Sequence, residues 1–547
     1  MSEAEKGPVR RMHPVRRRVA IVAGALVALF VLSVLVLTFV FSSVGREVIP
    51  PVVGELTDGG AAAAAGIEAG DRIVSVDGYA VESFADISKI LAFNYGSPVD
   101  IVVDRNGATE TYSVVPRLLR GGPAGVAFNR PVLGIAAAVD PTEGPTVRTY
   151  PLFEAFGRAV DLVVHNVKTV AVLAARLTIY LILPFIFVLA LIVFVHELGH
   201  FLVARWCGVT VVTFSIGFGR ELVGFTDRKG TRWRLSAIPL GGYVKFLGDE
   251  NAASASSPES LAAVPIEQRG RTLQAQSVGK RAAIVAAGPV ANFILGIAIF
   301  TFMFAVVGRT IMPPVVDQLT EGGAAAAAGI EAGDRLVSVD GRAIESFGDV
   351  SRVLTFNDGS PVEVIVNRGG TDLSFTITPQ LVRDIDPLGS PYNRAVLGIQ
   401  NNAEPGEDVV RTYSLFASVG RAFDEVAYQL STTVTYIGRI ITGRESIEQL
   451  GGPVSVARAA ELAASISFSM LLTLAAGVSI GIGFVNLLPI PLLDGGHLLF
   501  YAIEAVRRRP MGERAQEIGL RIGMACILLL MLVAFRNDIV RLFSPAT

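Results

Sequence analysis

The chain has 547 residues, 51% of them hydrophobic and only 18% charged, which is too apolar for an ordinary soluble enzyme of this size. A formal net charge of −2 leaves no basic footprint, so no nucleic-acid partner is expected. The two cysteines, Cys207 and Cys526, lie too far apart for a CxxC site and predict no structural disulfide.

In chain order, a basic stretch at 1–18 precedes an apolar helix at 19–43. That run exceeds the roughly 7–15 residues of a signal-peptide core and reads as an uncleaved anchor. A small domain at 46–118 follows, then a linker with an amphipathic helix at 119–176 and a second span at 177–207. A membrane-associated β-hairpin region is expected at 208–280, because apolar and polar residues alternate on both sides of the "TDRKGT" turn. A third span at 281–307, a second small domain at 313–382 and further linker and amphipathic helices at 383–460 come next. The chain closes with a span at 465–506, a loop at 507–518 and a last span at 519–536. Each apolar run is long enough for a hydrocarbon core, which takes about 20 helical residues. The predicted class is therefore a polytopic α-helical membrane protein of about five transmembrane helices carrying two small α/β domains and a β-hairpin.

Positive charge in short loops sets the orientation. Lys6, Arg10, Arg11, Arg16, Arg17 and Arg18 place the N-terminus in the cytoplasm. Alternation then leaves Arg228, Lys229, Arg232 and Arg234 inside, with Arg507, Arg508, Arg509 and Arg514. Both small domains fall outside.

Those two domains are copies. "GAAAAAGIEAGDRIVSVDG" (Gly60–Gly78) recurs 263 residues on as "GAAAAAGIEAGDRLVSVDG" (Gly323–Gly341), differing only at Ile73 versus Leu336. The match extends from Arg18 against Arg281 to "RTYPLF" (Arg148–Phe153) against "RTYSLF" (Arg411–Phe416). One unit of span, domain and amphipathic helix is thus duplicated. Each domain reads as short strands around one helix and resembles a PDZ domain of the bacterial protease-associated form, which implies peptide binding at a sheet edge or gating.

The second span carries "HELGH". Residues four apart share a helix face, so His196 and His200 present a zinc pair with Glu197 beside them as general base. A carboxylate at the bilayer centre costs roughly 2.5–3.5 kcal/mol on insertion scales and faces a partner or a wet cavity. Catalytic zinc wants a third protein ligand and keeps a position for water. "NLLPIPLLDGGH" (Asn486–His497) supplies Asp494 as the candidate, in a stretch where Pro489 and Pro491 should break the helix. By the topology count both motifs sit at the cytoplasmic ends of their spans. His497 reads as a structural or interfacial histidine, and His13 and His165 have no comparable context.

"HELGH", "NLLPIPLLDGGH" and "GPVANF" (Gly288–Phe293), with "GGPVSVARAA" and "LDGGHLLFYAIEAV", resemble the site-2 protease family of intramembrane zinc metalloproteases. The nearest branch is similar to the bacterial regulator of sigma-E proteases. The resemblance implies one catalytic Zn2+ on His196, His200 and Asp494, water activation by Glu197, and substrate-backbone contact at Asn486. It also implies a bacterial inner-membrane location with periplasmic PDZ-like domains, a hairpin that pairs with unwound substrate, and single-span substrates such as pre-trimmed anti-sigma factors or remnant signal peptides. An upstream site-1 protease and the lipid bilayer complete the expected partners. The alternative is a PDZ-bearing membrane scaffold with a vestigial metal site.

The sequence departs from that branch in one respect. Two PDZ domains usually lie between the core spans, whereas here one copy precedes the catalytic span on an extra helix. Gly288, Pro289 and Asn292 correspond there to Ala25, Leu26 and Leu29, so the extra span is expected to be an anchor outside the catalytic core, its domain joining the other in a tandem filter.

Overall fold

The computed structural model describes residues 14–57, 59–91, 97–120, 129–138, 146–249, 262–385, 391–401, 409–509 and 511–543. Lys6, Arg10, Arg11 and His13 of the basic stretch lie outside the described residues. The chain forms two compact units, Met1–Leu177 and Thr178–Thr547.

The first unit opens on helix α1 (Pro14–Phe39). Its small domain is an antiparallel sheet in the order Tyr79–Ala80, Arg72–Val76, Val99–Arg105, Ala108–Val114. Alternation along Val99–Arg105 turns Val99, Ile101 and Val103 into the core. Two helices flank the sheet, α2 (Ala61–Ala65) and α3 (Phe84–Leu91), where the sequence had predicted one. The additional helix comes from five consecutive alanines, the best helix formers, and stops at Gly66 with φ +97°. Helix α4 (Leu152–Arg176) returns along α1, burying Ala155, Ala159 and Val163 with Val34 and Phe41.

In the second unit, α5 (Leu183–Trp206) carries the HELGH motif and α6 (Val278–Phe302) the GPVANF motif. The second small domain repeats the first, with α7 (Ala324–Ala328) and α8 (Gly348–Leu354) against its sheet. The repetition reaches individual pairs. Arg46 faces Arg148 across a two-stranded ribbon as Arg309 faces Arg411. Arg105 holds the buried Asp71 at 2.7 Å, and Arg368 holds Asp334 at 2.7 Å. Four more helices follow: α9 (Leu415–Ile441), α10 (Pro453–Ile466), α11 (Phe468–Leu487) and α12 (Asp494–Arg507), before the long α13 (Glu513–Phe543).

Among the described residues, five helices are long and apolar enough to cross a membrane: Val27–Val44, Thr178–Trp206, Val278–Val307, Phe468–Leu487 and Arg514–Arg541. They match the five expected spans. The region expected at 465–506 holds α11 and α12, parted where the prolines were expected to break the helix. Pro489 and Pro491 lie in the break, Leu492 takes φ +97°, and α12 restarts at Asp494. Gly495 has no room for a Cβ against the Leu487 and Leu488 carbonyls, nor has Gly523 of α13 against Pro491.

Helix α6 is the hub, touching α5, α9, α11 and α12. Small residues allow the close approach, as is usual where helices meet in lipid. A Cβ at Gly199 of α5 would lie 2.8 Å from Ala291, and one at Gly296 of α6 would lie 2.7 Å from Ile480 of α11.

The hairpin is present, with strands Val211–Thr226 and Arg232–Phe246. It is more folded than its sequence suggests. Residues 211–216 pair antiparallel with 242–246, yet 213–216 also pair with 232–235 in registers that rise together. Four short segments thus make one small sheet, bent where Gly217, Gly219 and Gly241 take positive φ. Phe214 stacks on Trp233 at 4.3 Å and meets Phe201 of α5 edge-on at 5.6 Å, anchoring the sheet to the helix that carries the HELGH motif.

Candidate metal centre

The helical spacing of four brings His196 and His200 Nε2 within 3.2 Å of each other. Asp494, the first residue of α12, sets its Oδ2 3.2 Å from His196 Nε2 and 3.5 Å from His200 Nε2. Ligands on zinc at about 2.0–2.1 Å in tetrahedral geometry stand roughly 3.3–3.4 Å apart. The three atoms therefore outline one face of such a tetrahedron. Asp494 Oδ2 is buried and accepts no hydrogen bond despite both nearby imidazoles, as an atom awaiting a cation would. The donor set fits zinc.

The other imidazole nitrogens have partners that fix the rings. His200 Nδ1 lies 2.9 Å from the Ile284 carbonyl and so donates, which leaves Nε2 with its lone pair. His196 Nδ1 lies 3.2 Å from the Asn292 side-chain amide. Gly288, one turn before Asn292 on α6, gives the rings their space, since a Cβ there would come within 2.6 Å of His200 Cε1 and 2.8 Å of His196 Cε1.

Glu197 shares a cavity of about 300 Å3 with the three donors. Its wall includes Gly242, Tyr243 and Val244 of the hairpin, and Asn486 from the end of α11. The Val244 N–H donates to the Glu197 carboxylate, and a Cβ on Gly242 would lie 3.0 Å from Glu197 Cγ. The hairpin edge is thereby pressed directly against the carboxylate.

All five predicted site residues thus line one cavity. The sequence reading gave no role to Asn292, although it had singled out "GPVANF"; the signal was a carboxamide at membrane depth, which requires a partner. It also passed over Arg281, whose Nη2 pairs with Glu504 of α12 at 2.7 Å at the cavity wall.

Helices of membrane-spanning length thus bring an HExxH pair against an aspartate of a second helix, a group that could hold a metal ion. Peptidase family M50 matches residues 184–530, and a PDZ domain matches residues 52–105. "Putative zinc metalloprotease Atu1380" of Agrobacterium fabrum is 48% identical over 372 residues, covering 68% of this chain and 98% of the relative. "Metalloprotease MmpA" of Caulobacter vibrioides is 37% identical over 384 residues, 66% of this chain and 96% of the relative. The chain belongs to Peptidase family M50, the site-2 proteases. It is a multi-pass zinc metalloprotease with a PDZ domain, and the scaffold alternative has no observation in its favour.

Proposed function

We propose that this protein cleaves transmembrane segments of single-span membrane proteins, with His196, His200 and Asp494 as zinc ligands and Glu197 as general base. The observation that carries the reading is the triangle of donor atoms beside Glu197 in one cavity walled by spanning helices.

Held by His196, His200 and Asp494, a zinc ion would polarise the scissile carbonyl and bring the pKa of its water toward 7. The Glu197 carboxylate takes the proton from the attacking water and returns it to the leaving amide nitrogen. His200 Nδ1–H on Ile284 O and His196 Nδ1 on Asn292 hold both rings in place during that transfer. A helical substrate has its peptide groups already hydrogen-bonded and must unwind first. The Gly242–Phe246 edge pairs with residues 211–216 on one side and borders the cavity on the other, which suits it to hold an extended strand. Asn486 would contact the substrate backbone near the reacting carbonyl.

In this reading the N-terminus, the hairpin and the 507–518 loop lie in the cytoplasm of a bacterial inner membrane, and the small domains are periplasmic. The PDZ-like domains filter substrates, admitting those whose outer domain an upstream site-1 protease has removed, such as anti-sigma factors; remnant signal peptides also fit. The test compares wild type with Glu197→Gln in detergent on a tagged single-span substrate lacking its outer domain, with and without a zinc chelator. Cleavage within the span by wild type alone, abolished by chelation, is expected. Equal cleavage by both proteins, or none by zinc-loaded wild type on a panel of such spans, would sink the reading.

A further inference from the structure

The duplicated unit contains a groove whose counterpart in the other copy is filled. In the second unit α6 and α9 form a trough that receives α11: Phe300, Ala422 and Val426 share one buried cluster with Ala476 and Ile480. Gly296 lies under Ile480, and a Cβ at Gly477 would lie 3.6 Å from Gln429 Oε1. In the first unit α1 and α4 pack in the same way, and the trough they form is an open cavity of about 820 Å3.

Its lining includes Leu32, Ser33, Val36, Val163, Asn166 and Val170. These correspond, 263 residues on, to Leu295, Gly296, Ile299, Val426, Gln429 and Thr433. The small residue and the carboxamide keep their places. Leu32, Val36 and Val170 are 58%, 52% and 66% exposed, whereas Leu295, Ile299 and Thr433 are half-buried and Gly296 is buried.

We propose that the α1–α4 groove is a docking site for the transmembrane helix of another membrane protein, an apolar helix with small residues at four-residue spacing. The chemistry of the occupant is read from α11, whose docked face carries Ala475, Ser479 and Gly483. Small faces of this kind allow the close backbone approach on which helix association in lipid depends. Asn166 adds a carboxamide on the groove wall, a group that gains from a polar partner in an apolar setting. A second copy of this chain is a poor occupant, because its α11 is already held by its own α6 through Ile480 and Gly296. Nor does the groove serve a second metal site. Ala25, Leu26 and Leu29 stand where α6 has Gly288, Pro289 and Asn292. The proposal does not depend on proteolysis.

The test is disulfide crosslinking in membranes with the full chain, its Cys207 and Cys526 replaced by alanine. The probe is a tagged single-span protein whose span copies Phe468–Leu487 with a cysteine in place of Ala476. Val36→Cys and Val170→Cys should each crosslink to it, and Leu35→Cys on the outer face of α1 should not. Leucine at the probe's Ala475, Ser479 and Gly483 positions should cut the yield about tenfold, as should Ser33→Phe in the Val170→Cys protein, the equivalent of ~1.4 kcal/mol. Equal yields at positions 35 and 36 would mean random collision and overturn the proposal. So would crosslinking only between copies of the chain, or no crosslink to the probe at either groove position.

Discussion

Asn292 of α6 places its side-chain amide 3.2 Å from His196 Nδ1, while its own Oδ1 is buried without a hydrogen-bond partner. Both facts resolve together. If His196 presents Nε2 to a metal, Nδ1 carries the proton and needs an acceptor. Turning the carboxamide over offers Oδ1 to that proton, and amide orientation is an assignment to be settled by the hydrogen-bond network. Ser479 of α11 fixes the Asn292 backbone by donating to its carbonyl at 3.0 Å. Asn292→Ala should therefore weaken zinc binding and activity about 10- to 100-fold, the usual range for a partner of a ligating histidine. Asn292→Asp, which keeps an acceptor, should recover part of the loss. Chelator competition and cleavage rate are the readouts, and an alanine variant equal to wild type in both would refute the role.

Glu197→Gln separates chemistry from metal binding. Its carboxylate is not among the three donors, so the variant should keep its zinc while losing roughly 10²–10⁴ in rate, the usual contribution of a general base. Asp494→Ala should lose both, because its Oδ2 is the third corner of the triangle. Metal content of the purified proteins, measured beside cleavage, distinguishes the two patterns.

Gly288→Ala tests the space around the imidazoles. The added Cβ would collide with both rings, nearest at His200 Nε2, from a helix already packed on both sides. Loss of zinc with retained membrane insertion and retained PDZ-domain folding is expected. Normal zinc content would show that α6 can move away from α5.

Much of this arrangement was legible in the sequence because it is written in periodicities. Hydropathy over about 20 residues marks the spans, and a spacing of four puts His196 and His200 on one face. What stayed hidden depends on contacts between distant segments. Nothing local to Asn292 names His196 as its partner across α5 and α6. The alternating pattern of 211–246 predicts strands, but its folding into four paired segments follows from positive-φ bends at Gly217, Gly219 and Gly241. The break before Asp494 was foreseeable from Pro489 and Pro491. The left-handed backbone at Leu492 was not, since it costs of order 1–3 kcal/mol and persists only where packing imposes it.

Asp334 in the second small domain makes the pH prediction. Arg368 holds both of its carboxylate oxygens, at 2.7 and 2.8 Å, and the Glu331 N–H adds a third hydrogen bond at 2.9 Å. The Arg368 pairing holds the carboxyl below its ordinary value of 3.8 against the opposing effect of burial. A depressed carboxylate contributes stability that is present above the unfolded value and is lost as pH falls through the folded one. The domain should accordingly loosen as the pH drops below about 3.8. Asp334→Ala should destabilise the domain at neutral pH, because it removes a nearly buried acceptor and leaves the Glu331 N–H without its partner, while Arg368 keeps Glu331 and the Gly329 carbonyl. The variant should also lose most of the acid dependence between the two values. Amide hydrogen exchange of Val362–Arg368 and Thr371–Ile377 in the full chain measures both effects. Asp71, held by Arg105 in the same geometry, should show the same pair of effects in Val99–Arg105. A variant as stable as wild type at neutral pH would show that the pair contributes nothing.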